Sequence, residues 1–233
     1  MKNSLLMTLA LAAFFGLFTP RTANAQDWAN LEKFREANAQ LQAPGKDGAR
    51  VVFMGNSITE GWAGANPGYF TANPYVNRGI GGQTTPQMLL RFRQDVIELA
   101  PKAVIILAGT NDIAGNTGPM TLGQIRDNIL SMVQLAKANA ILPIVCSVLP
   151  AHDYPWRPGK RPDLKIPELN DLLREMAREQ DVPYLDYFSA MADTRNGLPQ
   201  GYTTDGVHLT TEGYVVMEGM VEALLDKVLK NRK

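Results

Sequence analysis

The 233-residue chain carries 23 Lys plus Arg against 23 Asp plus Glu, so no bulk charge favours nucleic acid or an anionic membrane as partner. Its 45% hydrophobic and 20% charged residues are those of an ordinary globular protein. Cys146 is the single cysteine, which excludes an intrachain disulfide; inside the apolar run ILPIVCSVL it reads as a small buried hydrophobe rather than a nucleophile.

The first 25 residues read as an export signal. Lys2 supplies a positive charge, residues 5–18 are uncharged and apolar, and Ala23-Asn24-Ala25 offers the small residues of a signal-peptidase site. The apolar stretch falls short of the ~20 residues that span a bilayer, so cleavage after Ala25 is expected, with an uncleaved anchor as the rival. No cysteine follows the cut to take a lipid. Residues 26–233 are then expected to form one domain, with 26–48 as a helix and linker packed on it.

Within 27–41, Trp28, Leu31, Phe34 and Leu41 fall near one helical face and predict a helix, which Pro44 to Gly48 ends. Strands are predicted at 50–54, 75–77, 103–108, 142–149 and 182–185. Helices are predicted at 85–99, 121–138, 164–180 and 210–229. This alternation specifies an α/β protein, a parallel sheet of about five strands with helices on both faces. Ligands of such sheets bind at the carboxyl ends of the strands. Four polar or glycine-rich clusters are predicted there: Gly55-Asn56-Ser57, Gly79 to Gln83, Gly109 to Asp112 and Thr203 to His208.

Ser57 stands where a strand gives way to a helix. It could cap that helix, or act as a nucleophile whose oxyanion gains from the helix's positive end. A serine nucleophile needs a base, and the chain has only His152 and His208. Asp205, three residues before His208, can turn back to accept the Nδ1 proton and leave Nε2 for the serine; its ordinary reading is a turn residue. Gly79-Ile80-Gly81-Gly82 does not complete a dinucleotide fingerprint, because Thr84 stands at the last glycine position. These glycines instead let backbone amides approach a ligand, and Asn111 offers a neutral side-chain donor, although Gly-Thr-Asn-Asp would also suit a turn.

In order and placement, Gly55-Asn56-Ser57-Ile58, Gly79-Ile80-Gly81-Gly82, Gly109-Thr110-Asn111-Asp112 and Asp205-Gly206-Val207-His208 resemble the four blocks of the SGNH or GDSL-type hydrolases. The nearest branch holds platelet-activating-factor acetylhydrolase-like and carbohydrate acetylesterase-like members. The resemblance implies a three-layer α/β/α sandwich of the flavodoxin-like type and ester hydrolysis without cofactor or metal. By position it makes Ser57 the nucleophile, His208 the general base and acid, and Asp205 the residue that orients His208. The Ser57 and Gly82 N–H groups and the Asn111 side chain form the implied oxyanion hole. Asn56 and Gln83 depart from the commoner acidic residues, which removes two negative charges and would ease binding of anionic substrates.

The segment 152–167, HDYPWRPGKRPDLKIP, is long for a connection and rich in aromatics and cations. Tyr154, Trp156 and Arg157, with Asn56 and with Trp62 as a second wall, are candidate substrate contacts suited to an acetylated or acidic sugar. The extra histidine, His152, reads as a surface or locally bonded residue. The expected function is therefore an exported serine esterase acting on short acyl esters, acetyl on carbohydrate foremost. A small-molecule or oligosaccharide ester is the expected partner; no stable membrane insertion is expected once the signal is cut, and nothing in the pattern specifies an oligomer. The alternatives are a lysophospholipase, thioesterase or acyltransferase on the same scaffold, or an inactive carbohydrate-binding protein. An α/β-hydrolase is disfavoured because Gly-Asn-Ser-Ile-Thr is not its G-x-S-x-G elbow.

Overall fold

The computed structural model describes residues 27–41, 43 and 50–230. The expected export signal and residues 44–49 of the linker lie outside them. Among the described residues no helix is long and apolar enough to cross a membrane.

Strands β1 (Val51–Gly55), β2 (Tyr75–Gly79), β3 (Ala103–Leu107), β4 (Leu142–Cys146) and β5 (Tyr184–Leu185) form one parallel sheet in the order β2-β1-β3-β4-β5. Helices α2 (Ser57–Ala65), α3 (Pro67–Thr71), α8 (Tyr187–Met191) and α9 (Thr211–Lys230) cover one face. Helices α4 (Thr85–Asp95), α6 (Leu122–Ala138) and α7 (Pro162–Glu179) cover the other, and α5 (Thr110–Ala114) follows β3 directly. The α/β/α sandwich predicted from the sequence is thus the observed architecture.

The strands are apolar throughout because both faces are covered. Their side chains alternate between two cores. Val52, Met54, Val104, Ile106 and Val145 meet Met88, Phe92, Ile129 and Leu173 on one side. Val51, Phe53, Ile105, Ile144 and Cys146 meet Trp62, Tyr187, Met217 and Val221 on the other. Cys146 is buried as expected, and burial pushes its thiol well above the ordinary range.

Two expectations require correction. The helix expected over 27–41 is confined to α1 (Arg35–Gln40). Upstream, the Asp27 carboxylate accepts from Leu31 N at 2.8 Å and Glu32 N at 3.0 Å, and Asn30 adopts a φ of 54°; side-chain bonds to backbone amides and a left-handed residue break the helical run. The long connection after β4 also ends earlier than residue 167. Pro162 opens α7, at a position where a missing N–H costs nothing.

At the carboxyl edge of the sheet, α2 lies so close to the end of β2 that a Cβ on Gly79 would stand 2.1 Å from Glu60 N. Gly79→Ala is expected to lower the unfolding free energy by about 1–3 kcal/mol, seen as a lower urea midpoint at unchanged slope. Gly64→Ala on the same helix, where an added Cβ meets nothing within 4 Å, should stabilise by no more than about 1 kcal/mol. A Gly79→Ala variant as stable as the wild type would contradict this seating of α2.

Candidate active site

Four loops meet at the switch point between β1 and β3, where the chain order of the sheet reverses. Ser57 is the first residue of α2. The Asn56 side chain caps this helix by accepting from Ile58 N at 3.0 Å, and not from Ser57 N. Tyr214 of α9 donates to the Ile58 carbonyl at 2.7 Å and so holds the same first turn from the opposite side. Trp62, one turn further on, stacks between Tyr69 and Tyr214 with ring centroids 5.5 Å from each.

His208 Nε2 lies 3.0 Å from Ser57 Oγ, and His208 Nδ1 lies 2.6 Å from Asp205 Oδ2. The other Asp205 oxygen accepts from the backbone of Val207 at 2.9 Å and of His208 at 2.7 Å. Asp205 thus divides its oxygens, one to the backbone of the turn and one to the imidazole. Partial burial pushes its carboxyl up, but the imidazole and the two amides outweigh this and hold it below the usual carboxylate range. Thr203 tightens the loop: its hydroxyl donates to the His208 carbonyl at 2.7 Å and accepts from Gly206 N at 3.0 Å.

Opposite the histidine, the turn from Gly79 to Gln83 brings Gly81 beside Ser57. Gly82 has a φ of +74°, a left-handed conformation that favours glycine. Asn111, in α5, is 3% exposed and donates one amide hydrogen to the Gln83 carbonyl at 3.0 Å, leaving the second for a ligand. Its neighbour Asp112 accepts at Oδ1 from Thr85 N and Oγ1, and burial pushes its carboxyl up to about 6 against those bonds.

The candidate substrate contacts divide. Trp156 stands at the site: its ring lies 6.3 Å from that of His208, it is 40% exposed, and its indole N–H donates to Asn116 Oδ1 at 3.2 Å. Arg157 is exposed beside it. Asn56, Trp62 and Tyr154 are corrected, because each is buried. Asn56 serves as the helix cap, Trp62 donates to Glu218 at 2.9 Å within the aromatic core, and Tyr154 backs Trp156 while bonding Thr110 at 2.8 Å. His152 is an exposed residue whose Nδ1 lies 3.2 Å from the Arg195 carbonyl, away from Ser57. A cleft of about 280 Å³ lined by His152, Tyr154, Pro155, Pro158 and Arg195 opens beside Asp205.

Sequence reasoning missed Asn116, whose Nδ2 donates to the Gly82 carbonyl at 3.1 Å and so ties the glycine turn to Trp156. A lone asparagine after α5 carries no signal of that role. Such a constellation can lower the barrier to acyl transfer: a hydroxyl with its base and orienting carboxylate, facing amide donors.

The solved structure of a Bacteroides fragilis protein assigned as an acylhydrolase is similar, with 48% identity and a TM-score of 0.85, covering 88% of this chain and 99% of that one. An isoamyl acetate-hydrolysing esterase of Saccharomyces cerevisiae is 25% identical, over 73% of this chain and 83% of its own. The human platelet-activating factor acetylhydrolase IB subunit alpha2 is 27% identical, over 66% of each chain. Residues 53–216 match the model of the GDSL-like lipase/acylhydrolase family, which spans all four loops of the site, and this chain belongs to that family.

Proposed function

We propose that this protein is a serine esterase that removes short acyl groups, acetyl foremost, from carbohydrate esters after export and loss of residues 1–25, with residues 26–233 as its single catalytic domain. The observation that carries this reading is the continuous chain from Ser57 Oγ through His208 to Asp205, at 3.0 and 2.6 Å.

In the proposed mechanism His208 Nε2 takes the Ser57 proton as Oγ attacks the ester carbonyl. Asp205 stays ionised, fixes the tautomer and stabilises the imidazolium that forms. The oxyanion is met by the Ser57 and Gly82 N–H groups and the Asn111 side chain, at the positive end of α2. On collapse, His208 returns the proton to the leaving alcohol and leaves an acyl ester on Ser57. Water then repeats the sequence: His208 deprotonates it, the acid departs, and the proton goes back to Ser57. Two relatives named for acetate or acetyl hydrolysis support a small acyl group. The exposed Trp156 beside His208, with Arg157 exposed next to it in the chain, and the cleft next to Asp205 support a sugar as the alcohol.

Hydrolysis of 4-nitrophenyl acetate is expected to exceed that of the butyrate. It should fall to near background in Ser57→Ala, and by about 10³–10⁴-fold in kcat in Asp205→Asn, which loses the tautomer control. A wild-type rate untouched by Ser57→Ala would reject the assignment of the nucleophile. With acetylated oligosaccharides, Trp156→Ala should raise KM by about tenfold, as loss of an aromatic contact worth ~1.4 kcal/mol would do. The same variant should leave turnover of 4-nitrophenyl acetate within about threefold, and an unchanged KM for the sugar esters would remove Trp156 from the substrate site.

A further inference from the structure

Gln83 directly follows the glycine turn, is 2% exposed, and has both polar atoms of its side chain engaged. Oε1 accepts from Arg91 Nε at 2.6 Å, and Nε2 donates to the Ala29 carbonyl at 2.8 Å. The orientation of the amide is fixed chemically: a guanidinium only donates and a carbonyl only accepts. The Gln83 carbonyl in turn holds Asn111 Nδ2 at 3.0 Å. One buried residue thus joins the segment 27–41, the Arg91 guanidinium and the proposed oxyanion donors Gly82 and Asn111.

We propose that Gln83 is a positioning residue through which the N-terminal segment becomes part of the framework that sets the oxyanion donors, an inference that rests on the esterase reading above. The segment is hooked along its length by side-chain amides. Gln87 Nε2 donates to the Trp28 carbonyl at 2.6 Å and Gln94 Nε2 to the Leu31 carbonyl at 2.6 Å. It also reaches the glycine turn by a second route: Lys33 Nζ pairs with Glu60 Oε1 at 2.7 Å, and Glu60 Oε2 accepts from Gly81 N at 2.8 Å. That ion pair is half exposed and contributes little by itself, and Asn38 ties the far end of the segment to Arg78 and Asp95; Gln83 is the buried link that reaches the proposed donors directly. An acidic residue at position 83 would keep its bond to Arg91 but could not donate to Ala29. The amide is therefore what this segment requires, which gives the departure from the commoner acidic residue a structural reason.

Misplacing an oxyanion donor by a fraction of an ångström costs about an order of magnitude in turnover. The test uses the full-length chain carrying Gln83→Glu, or Gln94→Ala as a variant that loosens the segment far from Ser57. Amide hydrogen exchange and the kinetics of 4-nitrophenyl acetate hydrolysis would be measured for each. Both variants should exchange faster over residues 27–32. Gln83→Glu should lose about tenfold in kcat with KM within twofold and a thermal midpoint within a few degrees of wild type, a split that general destabilisation would not produce. Gln94→Ala should lower kcat in the same sense by a smaller factor, and the double variant should be no slower than Gln83→Glu. Wild-type kcat in Gln83→Glu, or a lowered kcat with unchanged exchange in 27–32, overturns the proposal. Absence of Ser57-dependent turnover in the wild type overturns the esterase reading and the oxyanion half with it, while the exchange data judge the docking of the segment separately.

Discussion

The Arg91 guanidinium, fully buried beneath the candidate active site, is the charge on which the surrounding loops depend. Its NH2 group donates to the carbonyls of Gly55 at 3.1 Å and Arg78 at 2.8 Å, at the carboxyl ends of the paired strands β1 and β2. Its NH1 pairs with Asp95 at 3.0 Å, one helical turn away and also fully buried. An isolated charge at this depth would be prohibitive; here the carboxylate balances it and oriented carbonyls satisfy the remaining donors. Removing one partner of such a pair typically costs about 3–5 kcal/mol. The arrangement closes the first strand just before Asn56 and Ser57, so the position of the proposed nucleophile is an outcome of core electrostatics as much as of the helix it begins.

Around that point single residues serve two purposes. Asp205 divides its oxygens between turn and imidazole, and Asn56 ends a strand while capping α2. Asn111 lies in the first turn of α5 while its amide holds the Gln83 carbonyl. Parallel topology makes this economy possible: every strand points its carboxyl end to one edge, and the reversal between β1 and β3 leaves a crevice into which the following turns project.

The fold was legible because its signal is periodic and redundant. Uniformly apolar strands such as 103–107 need two covers, and the amphipathic runs that supply them sit between strands in the sequence. The proposed triad was legible because the chain has two histidines, Asp205 stands three residues before His208, and the four blocks follow the order of the hydrolase family they resemble. Exposure was not legible. Trp62, Tyr154 and Trp156 look alike in sequence, yet the first two are buried and only Trp156 meets solvent, because side-chain direction depends on helices distant in the chain. Asn116 and Arg91 were silent for the same reason: their partners lie on other elements, and no spacing encodes a contact made through tertiary structure. The extent of the first helix was misjudged because Asp27 and Asn30 act on the local backbone more strongly than the apolar pattern does.

The most direct test of Ser57 as an activated nucleophile is covalent. A fluorophosphonate phosphonylates only a serine whose neighbouring base has made it nucleophilic and whose pocket accepts the phosphoryl oxygen. Intact mass and peptide mapping after treatment should reveal a single adduct on the peptide carrying Ser57, formed in step with loss of ester hydrolysis and absent in His208→Ala. An adduct on a different residue, or full inactivation without modification of Ser57, would contradict the account.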